Sequence, residues 1–184
     1  ANAISAVLYA RLNYDLARDF APITMLATTP GVLVVHPTLP VKSVRELIAL
    51  AKARPGQLAY ASSGSGTPNH LAAELFSHMT GVKWVHIPYK GGGLALQELI
   101  AGQTSLSFLN LPTAIHIARS GKLRALATTG AKRAGAAPEL PTVAESGVPG
   151  FEVTTMYGIS APAKTPRAII DRLHAEIVRA LNAP

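Results

Sequence analysis

Residues 60–76 read YASSGSGTPNHLAAELF: an apolar run ends at Tyr60, small flexible residues follow, and a helical pattern begins at Thr67-Pro68. Strand, glycine–serine loop and helix in that order make half of a βαβ unit, and such loops commonly receive anions. A nucleotide-binding P-loop needs a Lys and a Ser or Thr after its last glycine, but Gly66 is followed by Thr67 and Pro68. A dinucleotide fingerprint needs a third small residue where Asn69 stands, and a nucleophile elbow needs glycines where Ser63 and Thr67 flank Ser65. What survives is simpler. Gly64 and Gly66 can turn successive amides toward one point, Ser62, Ser63, Ser65 and Thr67 add hydroxyls, and the helix start supplies a positive dipole end. This suits a carboxylate held by hydrogen bonds and released unchanged. The plainer alternative is a Gly/Ser turn with an N-cap.

Working outward, apolar runs alternate with helical patterns. VLVVH (32–36), LAYA (58–61), WVHI (84–87), 106–108 and LRALATT (123–129) read as strands. Ser43-Val-Arg-Glu46 is a capping box opening a helix that Pro55-Gly56 closes. Thr67 as N-cap and Pro68 at the first position start a helix to about Met79, and further helices are expected at 94–101, 114–119 and, briefly, 142–146. VTTMYGISAP (153–162) reads as extended, and Thr165-Pro166 as the start of a last amphipathic helix. This alternation predicts an α/β fold with a mostly parallel sheet flanked by helices. A second loop, HIPYKGGG (86–93), again leads from strand to helix. In a parallel sheet both loops lie at carboxyl ends, where ligands of open α/β folds bind, which adds Tyr89, Lys90 and Gly91 as candidates. For Lys90 plain solvation is the competing reading.

Composition removes several classes. The 184 residues carry a net charge of +7, with 48% hydrophobic and 15% charged residues, in the range of compact globular chains. Lys and Arg are scattered, and the densest group (Lys122, Arg124, Lys132, Arg133) has no aromatic neighbours, which argues against nucleic acid. No apolar run approaches the roughly 18–20 residues that cross a bilayer. There is no cysteine, and no histidine pair has the spacing plus Glu of a helical zinc motif, so no metal and no cofactor is expected. The carboxylates show no pairing, and no catalytic constellation emerges. The ends at Ala1 and Pro184 read as cut, so a fragment is expected.

The motifs together resemble one family. YDLARDFAPITMLATTPGVLVVHP (14–37), YASSGSGTPNHLAAELF (60–76), VHIPYKGGGLALQELIAGQ (85–103), GKLRALATTGAKR (121–133), ELPTVAESGVPGFEV (139–153) and YGISAPAKTP with IIDRLHAEIVRALN (157–182) occur in the order found in the Bug family of periplasmic solute-binding receptors, the extracytoplasmic component of tripartite tricarboxylate transporters. The resemblance implies a type II periplasmic-binding-protein-like architecture, two α/β lobes joined by crossing strands with a small acid between them. Residues 28–152 would be the second lobe, and 1–27 with 153–184 the hinge and an incomplete first lobe. The ligand would meet Ser62–Thr67 and Tyr89–Gly91 through amides, hydroxyls and water. Implied partners are a small organic acid, the membrane subunits of a transporter and a sensor protein, in the periplasm and without catalysis. Departures are also legible. The family's opening strand and Asp-ending loop are missing, Thr104-Ser105 replace an apolar-Asp pair, Leu109 stands where an acidic residue is common, and Met156 where Trp is frequent. If the acidic positions hold a ligand ammonium, this chain should prefer acids without one. Two other readings stand beside the receptor: an α/β enzyme using the Gly/Ser loop as an oxyanion hole, and a domain kept for protein–protein contact.

Overall fold

The computed structural model describes residue 4 and residues 11–183. The part of the expected first lobe at 1–3, 5–10 and 184 lies outside the described residues. In chain order the elements are α1 (Leu16–Asp19), β1 (Phe20–Val35), α2 (Val44–Ala53), β2 (Ala59–Ser62), α3 (Pro68–Thr80), β3 (Val85–Pro88), α4 (Gly92–Ile100), β4 (Leu106–Asn110), α5 (Leu111–Arg119), β5 (Arg124–Thr128), β6 (Thr154–Pro162) and α6 (Arg167–Leu181). The chain divides into two compact units. One runs from Thr29 to Thr155, and the other holds the described residues up to Thr28 and from Met156.

The Thr29–Thr155 unit is built on a sheet of order β3-β2-β4-β1-β5. β2 pairs parallel with β3 and with β4, while β1 pairs antiparallel with β4 and with β5. Four strands therefore share one direction and β1 opposes them, so the sheet is mixed rather than uniformly parallel. The run Val32-Leu33-Val34-Val35 is wholly buried because both faces of β1 are covered. Leu33 and Val35 join Val44, Leu47, Tyr60, Phe76 and Phe108 on the face packed by α2 and α3. Val32 and Val34 join Leu99, Leu111, Ala114 and Ile115 on the face packed by α4 and α5. A strand buried on both faces needs no polar alternation, which is why VLVV is continuous.

In the other unit, α6 is amphipathic and Ile170 is buried, whereas Ile169, Leu173 and Leu181 stay exposed. Met25 and Met156, on its strands β1 and β6, are exposed too.

Several local readings need correction. β1 is a single 16-residue strand rather than the five residues the apolar run suggested; Pro22 and Pro30, both ahead of that run, punctuate it and disguise it. In place of a helix at 142–146, Thr142 forms a parallel β-bridge with Thr128 and residues 143–147 form hydrogen-bonded turns. Their capping signal is real, since Glu145 N donates to Thr142 Oγ1 (3.0 Å) and Thr142 N to Glu145 Oε2 (2.9 Å), but only one turn follows. α6 starts one residue later than expected, with Pro166 at the N-cap. The Ser43 cap forms (Glu46 N to Oγ, 3.2 Å), although Glu46 reaches back to the Lys42 amide rather than to Ser43.

Thr129 gathers two segments of the Thr29–Thr155 unit. Its backbone N–H donates to Gly31 O (2.9 Å) and its carbonyl accepts from Val153 N (2.8 Å). Its hydroxyl accepts from Gly31 N (2.7 Å) and donates to Val153 O (2.6 Å), and Thr129 itself is fully buried. Replacing Thr129→Val keeps the shape and leaves one amide and one carbonyl unpaired. The expected cost is about 1–3 kcal/mol, seen as a lower urea midpoint at unchanged slope.

Candidate functional site

Both glycine-rich loops leave the sheet at the same edge, because β2 and β3 are parallel neighbours in the register Ala59↔Val85 to Ser62↔Pro88. The Tyr89 amide donates to Ser62 O (3.0 Å), which carries the pairing into the loops. A Cβ built on Gly64 would stand 3.5 Å from Tyr89 O, and one on Gly92 4.0 Å from Ser63 Cβ, so the loops are in contact. Gly64 and Gly66 have φ of 126° and 76°, and Gly91 has 115°, conformations in which a side chain is strained. The nine candidates Ser62, Ser63, Gly64, Ser65, Gly66, Thr67, Tyr89, Lys90 and Gly91 thus lie in two adjoining loops.

The amides of the first loop do not all converge on one empty point, as the residue types alone suggest. Gly64 N donates to Ser62 Oγ (3.2 Å), Gly66 N to His70 Nδ1 (3.1 Å) and Thr67 N to Gly64 O (3.3 Å). Thr67 is at the N-cap position of α3, but its hydroxyl donates to Gly64 O (2.7 Å) and makes no cap bond. Ser62 is fully buried, and its hydroxyl lies 2.6 Å from His86 Nε2 and 3.2 Å from Gly64 O. These groups shape the loop. No hydrogen bond within the protein engages the Ser63 and Ser65 amides and hydroxyls or the first amides of α3 among the described residues.

Behind the loop lie three near-parallel rings. Tyr60 and His86 are 4.7 Å apart with a 12° tilt, and His70 and His86 are 4.2 Å apart with a 21° tilt. Tyr60 is buried, and its hydroxyl donates to Glu74 Oε1 (2.5 Å). Burial, reinforced by Glu74, pushes the Tyr60 phenol well above its ordinary range. Burial, then the charge of His70, push His86 down, with Glu74 opposing. Burial and Glu98, 3.5 Å from its hydroxyl, raise Tyr89. Lys90 is exposed.

Ser62 and His86 have the separation of a nucleophile and its base, but they do not form an active site. Ser62 has no exposed surface, and its hydroxyl is committed to His86 and to Gly64 on both sides. Among the described residues no three His, Asp or Glu side chains gather where they could hold a metal ion, and no helix is long and apolar enough to cross a membrane.

Two residues escaped the sequence reading. Asn69 in the first turn of α3 and Asn110 at the end of β4 line one small recess with Pro68, Thr129 and Thr155. Because β4 is parallel to β2, Asn110-Leu111-Pro112 is a third strand-to-helix junction at the same edge. The signal was an Asn with Pro two residues on, after an apolar run. A larger concavity of about 680 Å³, along α5 and the 130–136 segment, is lined by none of the nine candidates.

Comparison with known proteins bears on this geometry. Residues 2–184 match the family described as tripartite tricarboxylate transporter family receptor. The protein BugT of Bordetella pertussis is 38% identical over 181 residues, 98% of this chain and 56% of BugT. The R. palustris protein Rpa4515, solved with adipate, superposes with a TM-score of 0.91 at 40% identity, over 95% of this chain and 58% of that one. MatC (Rpa3494) from Rhodopseudomonas palustris, solved with bound malate, gives 0.88 at 29% identity, over 98% and 61%. The chain spans about half the length of the curated relatives it matches. It belongs to the tripartite tricarboxylate transporter receptor family, a family of periplasmic solute-binding receptors and not of enzymes.

Proposed function

We propose that the chain is the ligand-holding part of a periplasmic receptor for a small organic dicarboxylate, with the Thr29–Thr155 unit as its second lobe. The reading is carried by the contact between the Ser62–Thr67 and Tyr89–Gly91 loops at the carboxyl ends of two parallel strands. The Ser63 and Ser65 amides and hydroxyls with the start of α3 would seat one carboxylate, and Tyr89, Gly91 and Asn69 would line its surroundings. Partial charges suffice for this, because donors held in place lose little on binding. The relatives solved with adipate and with malate support a dicarboxylate. The whole protein would deliver its acid to the membrane subunits of a tripartite transporter, or report it to a sensor protein.

Leu109, only 4% exposed, brings no carboxylate to this edge. Glu74 and Glu98 are engaged by the Tyr60 and Tyr89 hydroxyls. A ligand ammonium would therefore meet only carboxylates already hydrogen-bonded by a tyrosine and none added at position 109, and glutarate should bind several-fold more tightly than glutamate. Equal affinity in calorimetry would contradict this.

Thermal denaturation with adipate, malate and the uncharged adipamide tests the site. A ligand present at 100 times its Kd and bound only by the native chain adds about 2.7 kcal/mol, a rise of several degrees for a chain of this size. The two acids should raise Tm, the diamide should not, and mass spectrometry should recover the acids unchanged. Gly66→Val, which forces a branched side chain to φ 76°, should remove the adipate shift. A retained shift would move the site elsewhere.

A further inference from the structure

The first loop is held from behind by two imidazoles that the receptor reading leaves without a task. His70 Nδ1 accepts the Gly66 N–H (3.1 Å), and His86 Nε2 meets the Ser62 hydroxyl, which in turn accepts from Gly64 N. An imidazole nitrogen can accept that amide only while it is unprotonated. Once Nδ1 carries a proton, it and the amide are two donors facing each other. The His70–Gly66 bond and protonation of His70 Nδ1 therefore exclude one another.

We propose that His70 is a positioning residue that couples anion binding at the 62–67 loop to proton uptake: neutral, it holds the Gly66 amide, and protonated, it releases that amide to the ligand and adds a positive charge beside it. This rests on the receptor reading of the loop. The proton comes from solvent and returns to it when the acid leaves. The titratable groups around His70 are few. Glu74 comes from α3 itself, Tyr60 from β2, His86 from β3, and Tyr89 with Glu98 and the exposed Lys90 from the second loop and α4. β4 brings none. Glu74 is taken by Tyr60, and His78 and Glu152 share a separate recess with it. His86, pressed against His70, is held toward its neutral form by burial and by that neighbour's charge. Two imidazoles stacked this closely do not both charge cheaply, so one proton enters the pair. A positive charge in the first turn of a helix is disfavoured alone and favoured once an anion lies against it, which gives the coupling its sign. The complex holds more proton than the free chain, and affinity rises as pH falls.

Nuclear magnetic resonance of the 184-residue chain between pH 8 and 6 tests this, following the Gly66 amide and the His70 ring nitrogens with and without adipate. The Gly66 amide should titrate together with His70, and adipate should move that midpoint upward. Affinity should tighten by up to roughly tenfold for each unit of movement. Calorimetry at pH 7 in two buffers of different ionisation heat should show fractional proton uptake per adipate bound. In His70→Asn the amide oxygen replaces Nδ1 as acceptor but takes no proton, so binding should persist with a flat pH profile and no uptake. Undiminished uptake in His70→Asn, a flat profile in the parent, or equal loss of binding at every pH overturns the proposal. If no loop amide responds to adipate at any pH while Gly66 still titrates with His70, the receptor reading of the site falls, and the proposal with it.

Discussion

The parallel pairing of β2 with β3 is the constraint on which the site depends. It ends both strands at one edge, so two loops separated by more than twenty residues in the chain emerge side by side. It also fixes which way each side chain points. Tyr60 and His86 are register partners and therefore face the same side, where their rings stack. A slip of one residue in β3 would turn His86 to the other face and remove the support beneath Ser62. The pairing is in turn held in place by a sheet whose two faces are both covered, and the wholly buried Val32–Val35 run is the clearest sign of that.

Much of this was legible in the sequence, for identifiable reasons. VLVV, LAYA and WVHI announce strands because apolar runs of that length bounded by turn residues have few other uses, although the last forms an edge strand with Val85 exposed. Ser43 and Gly81 mark helix ends because cap chemistry is local; Gly81 sits at φ 71° as a helix terminator should. Where the signal was hidden, a second local rule opposed it. Pro22 and Pro30 argued against a long β1, yet its pairing with β4 and β5 involves only Gly31 and the residues beyond it. The Thr142–Glu145 box formed fully and still led to no helix, because Gly147 and Pro149 follow at once.

The loop itself was half legible. Glycines and hydroxyls at residues 62–67 pointed to a donor-rich turn, and composition said nothing of how many donors the turn would use on itself. That depends on His70, four residues along a helix from Gly66, and on His86, brought from another strand by the sheet. Asn110 was missed for the same reason: its place beside Asn69 comes from the pairing of β4 with β2. Local chemistry is written in the chain, and proximity between segments is not.

Because Thr67 and Ser62 tie the loop to itself, its backbone is fixed before any acid arrives. Residues that would otherwise sample many conformations have already lost that freedom on folding, so capture of a guest need not spend its attraction on ordering them. A cradle of this kind should keep its backbone shape between one passenger and the next, so that transfer of the Gly66 amide from His70 to the guest calls for a proton rather than for rearrangement of the Gly64–Gly66 turn.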